Sequence, residues 1–115
     1  MDVVRIEVIT SETKFSSFKK AISKLGVTGM TVSQVLGCGT QRGTPEYEDG
    51  LNEEMELLPK QQIMMIVKKV MLEKVLDVVE KELYSGHIGD GKIIVSEVMN
   101  IIRVRTGEEG IKAVE

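Results

Sequence analysis

The residues best suited to chemistry fall in two short blocks. One is Gly86-His87-Ile88-Gly89-Asp90-Gly91-Lys92, the other Arg103-Val104-Arg105-Thr106-Gly107. Glycines at 89 and 91 let main-chain N–H groups turn inward into an anion-binding nest. Lys92 adds a point charge, and Arg103 and Arg105 add planar forks that match phosphate oxygens. If residues 103–105 are extended, both guanidinium groups fall on one side and Val104 on the other. These blocks read either as a polyphosphate cradle or as a β-turn followed by solvated charges. Composition alone leans toward the turn, because neither a Walker A loop nor a Rossmann fingerprint is present.

No catalytic constellation accompanies them. His87 is the only histidine, and its place in a turn makes it an exposed polar residue, at most a supporting phosphate contact. Cys38 lies between Gly37 and Gly39 with no histidine nearby in sequence, and reads as a small buried thiol rather than a nucleophile. Glu73, Asp77 and Glu80 read as a solvated helix face, and Met64, Met65 and Met71 as core. A small phosphohydrolase is the least favoured class, since no acid, base and nucleophile converge. The chain is not expected to be an enzyme.

The elements that must position these blocks belong to one domain, 1–115. The chain has 115 residues, 42% of them hydrophobic and 29% charged, which excludes disorder and collagen-like repetition. No apolar run approaches the roughly 20 residues of a membrane helix. The opening MDVVRIEVIT is strand-like and carries acids, so it is not read as a signal peptide. A single cysteine excludes an internal disulfide and fits a reducing cytoplasm. The 15 Lys and Arg against 18 Asp and Glu leave no basic field for nucleic acid, and four scattered aromatics make no stacking platform.

Residues 3–9 read as a strand with Val4, Ile6 and Val8 on its apolar side. Phe15, Phe18, Ile22 and Leu25 recur at helical spacing, with Lys19, Lys20 and Lys24 on the wet side and Gly26 as the stop. Strands follow at 30–36, 61–67 and 92–99, and a second amphipathic helix carries Leu72, Val75, Leu76, Val79 and Leu83. The order β-α-β-loop-β-α-β gives an α+β fold, a ferredoxin-like βαββαβ sandwich with two βαβ units side by side and both helices on one face. The third strand is apolar at consecutive positions (Ile63, Met65 and Val67 one way, Met64 and Ile66 the other), so it needs cover on both sides. That cover is either other subunits or the tail folded back over the sheet, the tail being NIIRVRTGEEGIKAVE, which reads as short and polar.

Between the second and third strands, residues 37–60 have no sustained period, and a stretch of this kind is usually functional. From Arg42 to Lys60 it holds six acids (Glu46, Glu48, Asp49, Glu53, Glu54, Glu56) and no base between, so the remaining 12 acids face all 15 bases. This is either a self-repelling extended loop or an acidic arm for a basic partner or divalent cation. The spacing is not that of an EF-hand.

Five blocks in order then resemble the PII signal-transduction family. They are Gly29-Met30-Thr31-Val32; Val35, Gly37, Gly39, Gln41 and Gly43 at alternate positions; Leu58-Pro59-Lys60; Gly86 through Ile93; and Arg103 through Glu109. The resemblance implies a homotrimer that binds ATP or ADP in clefts between subunits. It also implies 2-oxoglutarate binding with Mg-ATP, and a mobile effector loop (37–60) that docks on an enzyme, a regulator or a transporter. Any membrane association is then indirect, through a transporter.

Carried over by position, 85–92 is the phosphate loop, with Gly89, Asp90, Gly91 and Lys92. Arg103 and Arg105 contact phosphates, one of them from the neighbouring subunit, and 100–115 is the C-terminal segment. Ile9, Thr31, Gly37 and Ile66 line the adenine and ribose pocket, with Gly39 also on the nucleotide. Gln41 offers its side-chain oxygen to Mg²⁺, and Lys60 pairs with the distal carboxylate of 2-oxoglutarate. Mg²⁺ takes few protein ligands beside phosphate oxygens, so a keto acid chelating it couples the two ligands reciprocally.

The chain departs from the family pattern at several places. Glu53 stands where a tyrosine is commonly uridylylated, and Tyr47 is out of register. Asp49 stands where transporter-blocking members carry a pore-plugging arginine. Ser11 replaces a frequent basic residue near 2-oxoglutarate, and Met64 a frequent glutamate near the adenine. The resemblance thus implies an ATP/ADP and 2-oxoglutarate sensor in nitrogen regulation. The alternative is a divergent adenine-nucleotide regulator whose acidic loop engages a target other than the ammonium transporter.

Overall fold

A computed structural model describes residues 1–11, 15–39, 56–86 and 91–115. Four strands, β1 (Val3–Thr10), β2 (Thr31–Gly39), β3 (Glu56–Lys68) and β4 (Lys92–Glu97), form one antiparallel sheet in the order β2-β3-β1-β4. Helices α1 (Phe15–Lys24) and α2 (Leu72–Leu83) follow β1 and β3, and a short α3 (Ile111–Val114) ends the chain. The two βαβ units interlock rather than lie side by side. β1 pairs with β3 from Val3↔Lys68 to Thr10↔Gln61, so the centre of the sheet takes one strand from each unit. The two most apolar strands gain a neighbour on each edge this way.

Alternation along the strands chooses the core. Val4, Ile6 and Val8 of β1 and Ile63, Met65 and Val67 of β3 are buried against Phe18 and Ile22 of α1 and Val75, Val79 and Leu83 of α2. Gly26, at φ +88°, closes α1 with its N–H on the Ser23 carbonyl at 3.0 Å. That left-handed cap favours glycine. A 3-10 turn (Lys69–Met71) leads into α2, whose Glu73, Asp77 and Glu80 are exposed as expected.

The opposite sheet face presents Arg5, Glu7 and Ile9 from β1, Gln62, Met64 and Ile66 from β3, and Ile94 from β4, as the pairing dictates. Gln62 Nε2 donates to Glu7 Oε1, and Arg5 approaches the same oxygen at 3.4 Å. One end of this face is covered by the tail. Ile101, Ala113 and Val114 come together with Met64 and Ile66 around one groove. The tail is therefore folded structure rather than a plain polar end. Ile94, toward the β4 edge, stays 45% exposed.

The strands flanking the long loop run further than their hydrophobic period predicts. β2 extends to Gly39 and β3 begins at Glu56, so residues 37–39 and 56–60 are strand, not loop. Five pairs, from Val35↔Lys60 to Gly39↔Glu56, lie beyond the end of β1 as a two-stranded ribbon. At about 3.3 Å per residue this extension adds roughly 16 Å. Nothing in the sheet flanks β3 there, so Pro59 costs no ladder hydrogen bond on that edge. Leu36 and Leu57 are 66% and 63% exposed. Cys38 is exposed too, against the expectation of a buried thiol, because the ribbon has no core to enter. β4 ends at Glu97, two residues short of its predicted end.

Replacing Phe18 by Ala is expected to cost about 3–5 kcal/mol, the range for an aromatic lost from a packed core. Replacing Leu36 by Ala should change stability by less than about 0.5 kcal/mol. Urea unfolding of both variants checks whether the core ends where β1 ends.

Candidate functional site

The nucleotide and phosphate residues expected from sequence separate into three places. The first is a groove of about 340 Å³ where the tail meets the open sheet face. Thr31 from β2, Met64 and Ile66 from β3 and Arg103 from the tail line it, with Met30, Ile101 and Val114. Thr31 and Met64 are paired residues, which sets them side by side. A volume of this size is at the low end for ligand sites. Met64 is thus a groove residue rather than a core one, whereas Met65 is 1% exposed in the core.

Arg103 is held in that groove by the fold of the tail. Its N–H takes the Glu108 carbonyl at 2.9 Å, its carbonyl accepts from the Gly107 N–H at 2.7 Å, and Ile102 bridges Glu109. Gly107 sits at φ +74°, closing the turn. Residues 103–105 are consequently not extended, and strand alternation does not place Arg103 and Arg105 on one side. Arg105 is exposed. The Arg103 guanidinium turns back onto its own chain. Nη2 donates to the main-chain oxygens of Glu115 at 2.7 Å and Ala113 at 3.3 Å, and Nη1 lies 3.4 Å from Glu108 Oε1.

The second place is the start of β4. Lys92 pairs with Ile9, so these two predicted residues are neighbours. Gly91, at φ +97°, crosses so close to β1 that an added Cβ would sit 1.8 Å from the Ile9 carbonyl oxygen. Only glycine allows that crossing, which brings the start of β4 onto β1. Lys92 and Thr31 stand on opposite edges of the sheet. Three strand spacings separate these edges by roughly 14 Å, and Lys92 is offset from Thr31 by a further two residues along the strands.

The third place is the ribbon. Gly37 and Lys60 lie diagonally across the β2–β3 ladder, and a Cβ on Gly37 would meet Lys60 Cγ at 2.8 Å. The missing side chain lets the Lys60 stem pass over β2. Gly39 ends the same strand. Gln41, Gly89 and Asp90 lie outside the described residues, as do His87, Tyr47, Asp49 and Glu53. Among the described residues no three of His, Cys, Asp and Glu are grouped to hold a metal ion. Also among them, no helix is long and apolar enough to cross a membrane.

Sequence reasoning missed Thr28, Ala113 and Val114 as groove residues. The signal was present in Ile101, Ile111 and Val114, apolar positions within a segment read as polar.

A ferredoxin-like sandwich with a long β2–β3 ribbon is a frame shared by a family of small regulatory proteins. Residues 3–108 match the family model described as Nitrogen regulatory protein P-II. The chain is 40% identical over 103 residues to the nitrogen regulatory protein GlnK of Escherichia coli strain K12, across 90% of this chain and 92% of that protein. It is 38% identical over 109 residues to the nitrogen regulatory PII-like protein of Bacillus subtilis, across 95% and 94%. Its fold is similar to the B. subtilis GlnK–ATP complex, with a TM-score of 0.82 and 35% identity over 96% of both chains. Arabidopsis thaliana PII bound to citrate gives a TM-score of 0.78 and 34% identity over 97% of this chain and 92% of that one. The chain belongs to the P-II family of nitrogen regulatory proteins, which are signal-transduction proteins rather than enzymes.

Gly91→Ala and Gly107→Ala separate backbone strain from collision. Both glycines have left-handed φ, but Gly107 has nothing within 4 Å of an added Cβ. Gly107→Ala is expected to cost about 1 kcal/mol. Gly91→Ala should cost more, about 3 kcal/mol, because β1 and β4 must also part. Thermal unfolding of the two variants checks the difference.

Proposed function

We propose that this protein senses ATP and ADP, together with 2-oxoglutarate, and regulates nitrogen metabolism in the cytoplasm by binding a protein target through residues 37–60. The observation that carries the nucleotide reading is the separation of the predicted residues. Arg103, Thr31 and Ile66 gather at one groove, while Lys92 and Ile9 lie toward the opposite edge of the sheet. One chain cannot close both halves on a single triphosphate. A homotrimer joins the groove of one subunit to the Lys92 edge of the next, and the partly apolar open face supplies a surface for that assembly. The solved ATP complex of B. subtilis GlnK, a relative of similar fold, supports the choice of ligand.

In this reading Gly89, Asp90, Gly91 and Lys92 hold the phosphates with Arg103 and Arg105, and Ile9, Thr31, Gly37, Gly39 and Ile66 flank the base and ribose. A Mg²⁺ ion bound with ATP draws on phosphate oxygens, with Gln41 as the protein ligand, in keeping with its preference for few protein donors. Lys60, at the foot of the ribbon, pairs with 2-oxoglutarate. Citrate on Arabidopsis PII is a precedent in the family for a small carboxylate ligand.

Calorimetry with ATP and Mg²⁺ is expected to show binding. Lys92→Ala and Arg103→Ala should each weaken it about tenfold to a hundredfold, as loss of charge-assisted hydrogen bonds worth about 1.5–3 kcal/mol predicts. Each variant should remain assembled in sedimentation. Wild-type affinity in both would refute the site. A heat of 2-oxoglutarate binding that appears only with Mg-ATP checks the coupling, and its absence confines the sensor to nucleotides.

A second reading concerns the target. The six acids between Arg42 and Lys60, with Asp49 and Glu53 at the departing positions, favour a basic partner other than an ammonium transporter. Neutralising these six should abolish capture of that partner in a pull-down. Unchanged capture speaks against an electrostatic arm.

A further inference from the structure

Resting on the nucleotide reading above, we infer that the C-terminal segment 111–115 is a strap that competes with a polyphosphate for Arg103. Both terminal nitrogens of this guanidinium are engaged within the chain: Nη2 by the main-chain oxygens of Ala113 and Glu115, Nη1 by the Glu108 carboxylate. A phosphate oxygen needs the same donors. A triphosphate offers several anionic oxygens to these donors at once, and so displaces the single acceptors supplied by Ala113 and Glu115.

The strap has its own anchors. Glu115 pairs with Lys68 at the end of β3 at 3.3 Å, and Thr28 Oγ1 reaches the Val114 carbonyl at 3.4 Å. Val114 also lines the groove beside Ile66. The segment therefore engages the arginine and forms part of the groove wall next to it. These contacts are long or exposed, with the Lys68 and Glu115 side chains 40% and 54% accessible. A closure of that strength is one a bound anion can reverse. The affinity of the free protein is then reduced by the fraction of time the strap is open.

Two measurements test this on the intact assembly. ATP with Mg²⁺ is titrated into the full chain and into a chain lacking residues 111–115. Removal of the strap should tighten binding about threefold to tenfold. Equal or weaker binding overturns the strap while leaving the nucleotide reading in place, and no binding to either protein overturns both. In the full chain, the Ala113 amide donates to the Gly110 carbonyl at 3.0 Å. Saturating ATP should speed hydrogen exchange at that amide, and unchanged or increased protection overturns the strap even if the truncated chain fails to fold.

Discussion

Two helices of ten and twelve residues cover one face of a four-stranded sheet and leave the other to be covered by something else. Much of the molecule follows from that asymmetry. The covered face is closed by Phe18, Ile22, Val75 and Val79 on Ile6, Ile63 and Met65, a core without a charged group. The open face mixes apolar side chains with the Arg5, Glu7 and Gln62 cluster. Glu7 on that face is met by both Arg5 and Gln62, so its carboxylate has partners within the chain. The tail takes over one end of the same face, and the groove it makes is where the candidate ligand residues of this half meet.

The interlocked strand order has a second consequence. Because β1 and β3 are central, β2 and β4 become opposite edges. Gly91 thus meets β1 at Ile9, while Thr31 begins the far edge. The ribbon springs from the same sheet. Its base carries Gly37 and Lys60, packed against each other across the ladder.

Legibility in sequence followed burial. α1, α2, β1 and the central part of β3 showed their periods because each has one side in the core and one out of it. The ribbon showed none: Leu36, Cys38 and Leu57 face no core, and Gly37, Gly39 and Pro59 carry little pattern. Local rules took residues 37–39 and 56–60 for loop, although main-chain pairing across the ladder suffices to make them strand. The tail was misread for the opposite reason. Its few apolar residues have partners more than 30 positions away, and no local window contains both.

The amino-acid order alone determined the alternation of strands and helices, the faces each would bury, the glycines that could admit phosphate, and five spaced blocks that identify the family. These are local properties, carried by neighbouring residues and a fixed period. Tertiary structure decided the interlocked strand order and, with it, the placing of Lys92 and Thr31 on opposite edges of the sheet. It also decided the closed turn that withdraws Arg103 from an extended phosphate face onto Ala113 and Glu115. Each depends on which distant segments pair, and pairing is settled by the total burial of the sheet rather than by any one stretch of chain.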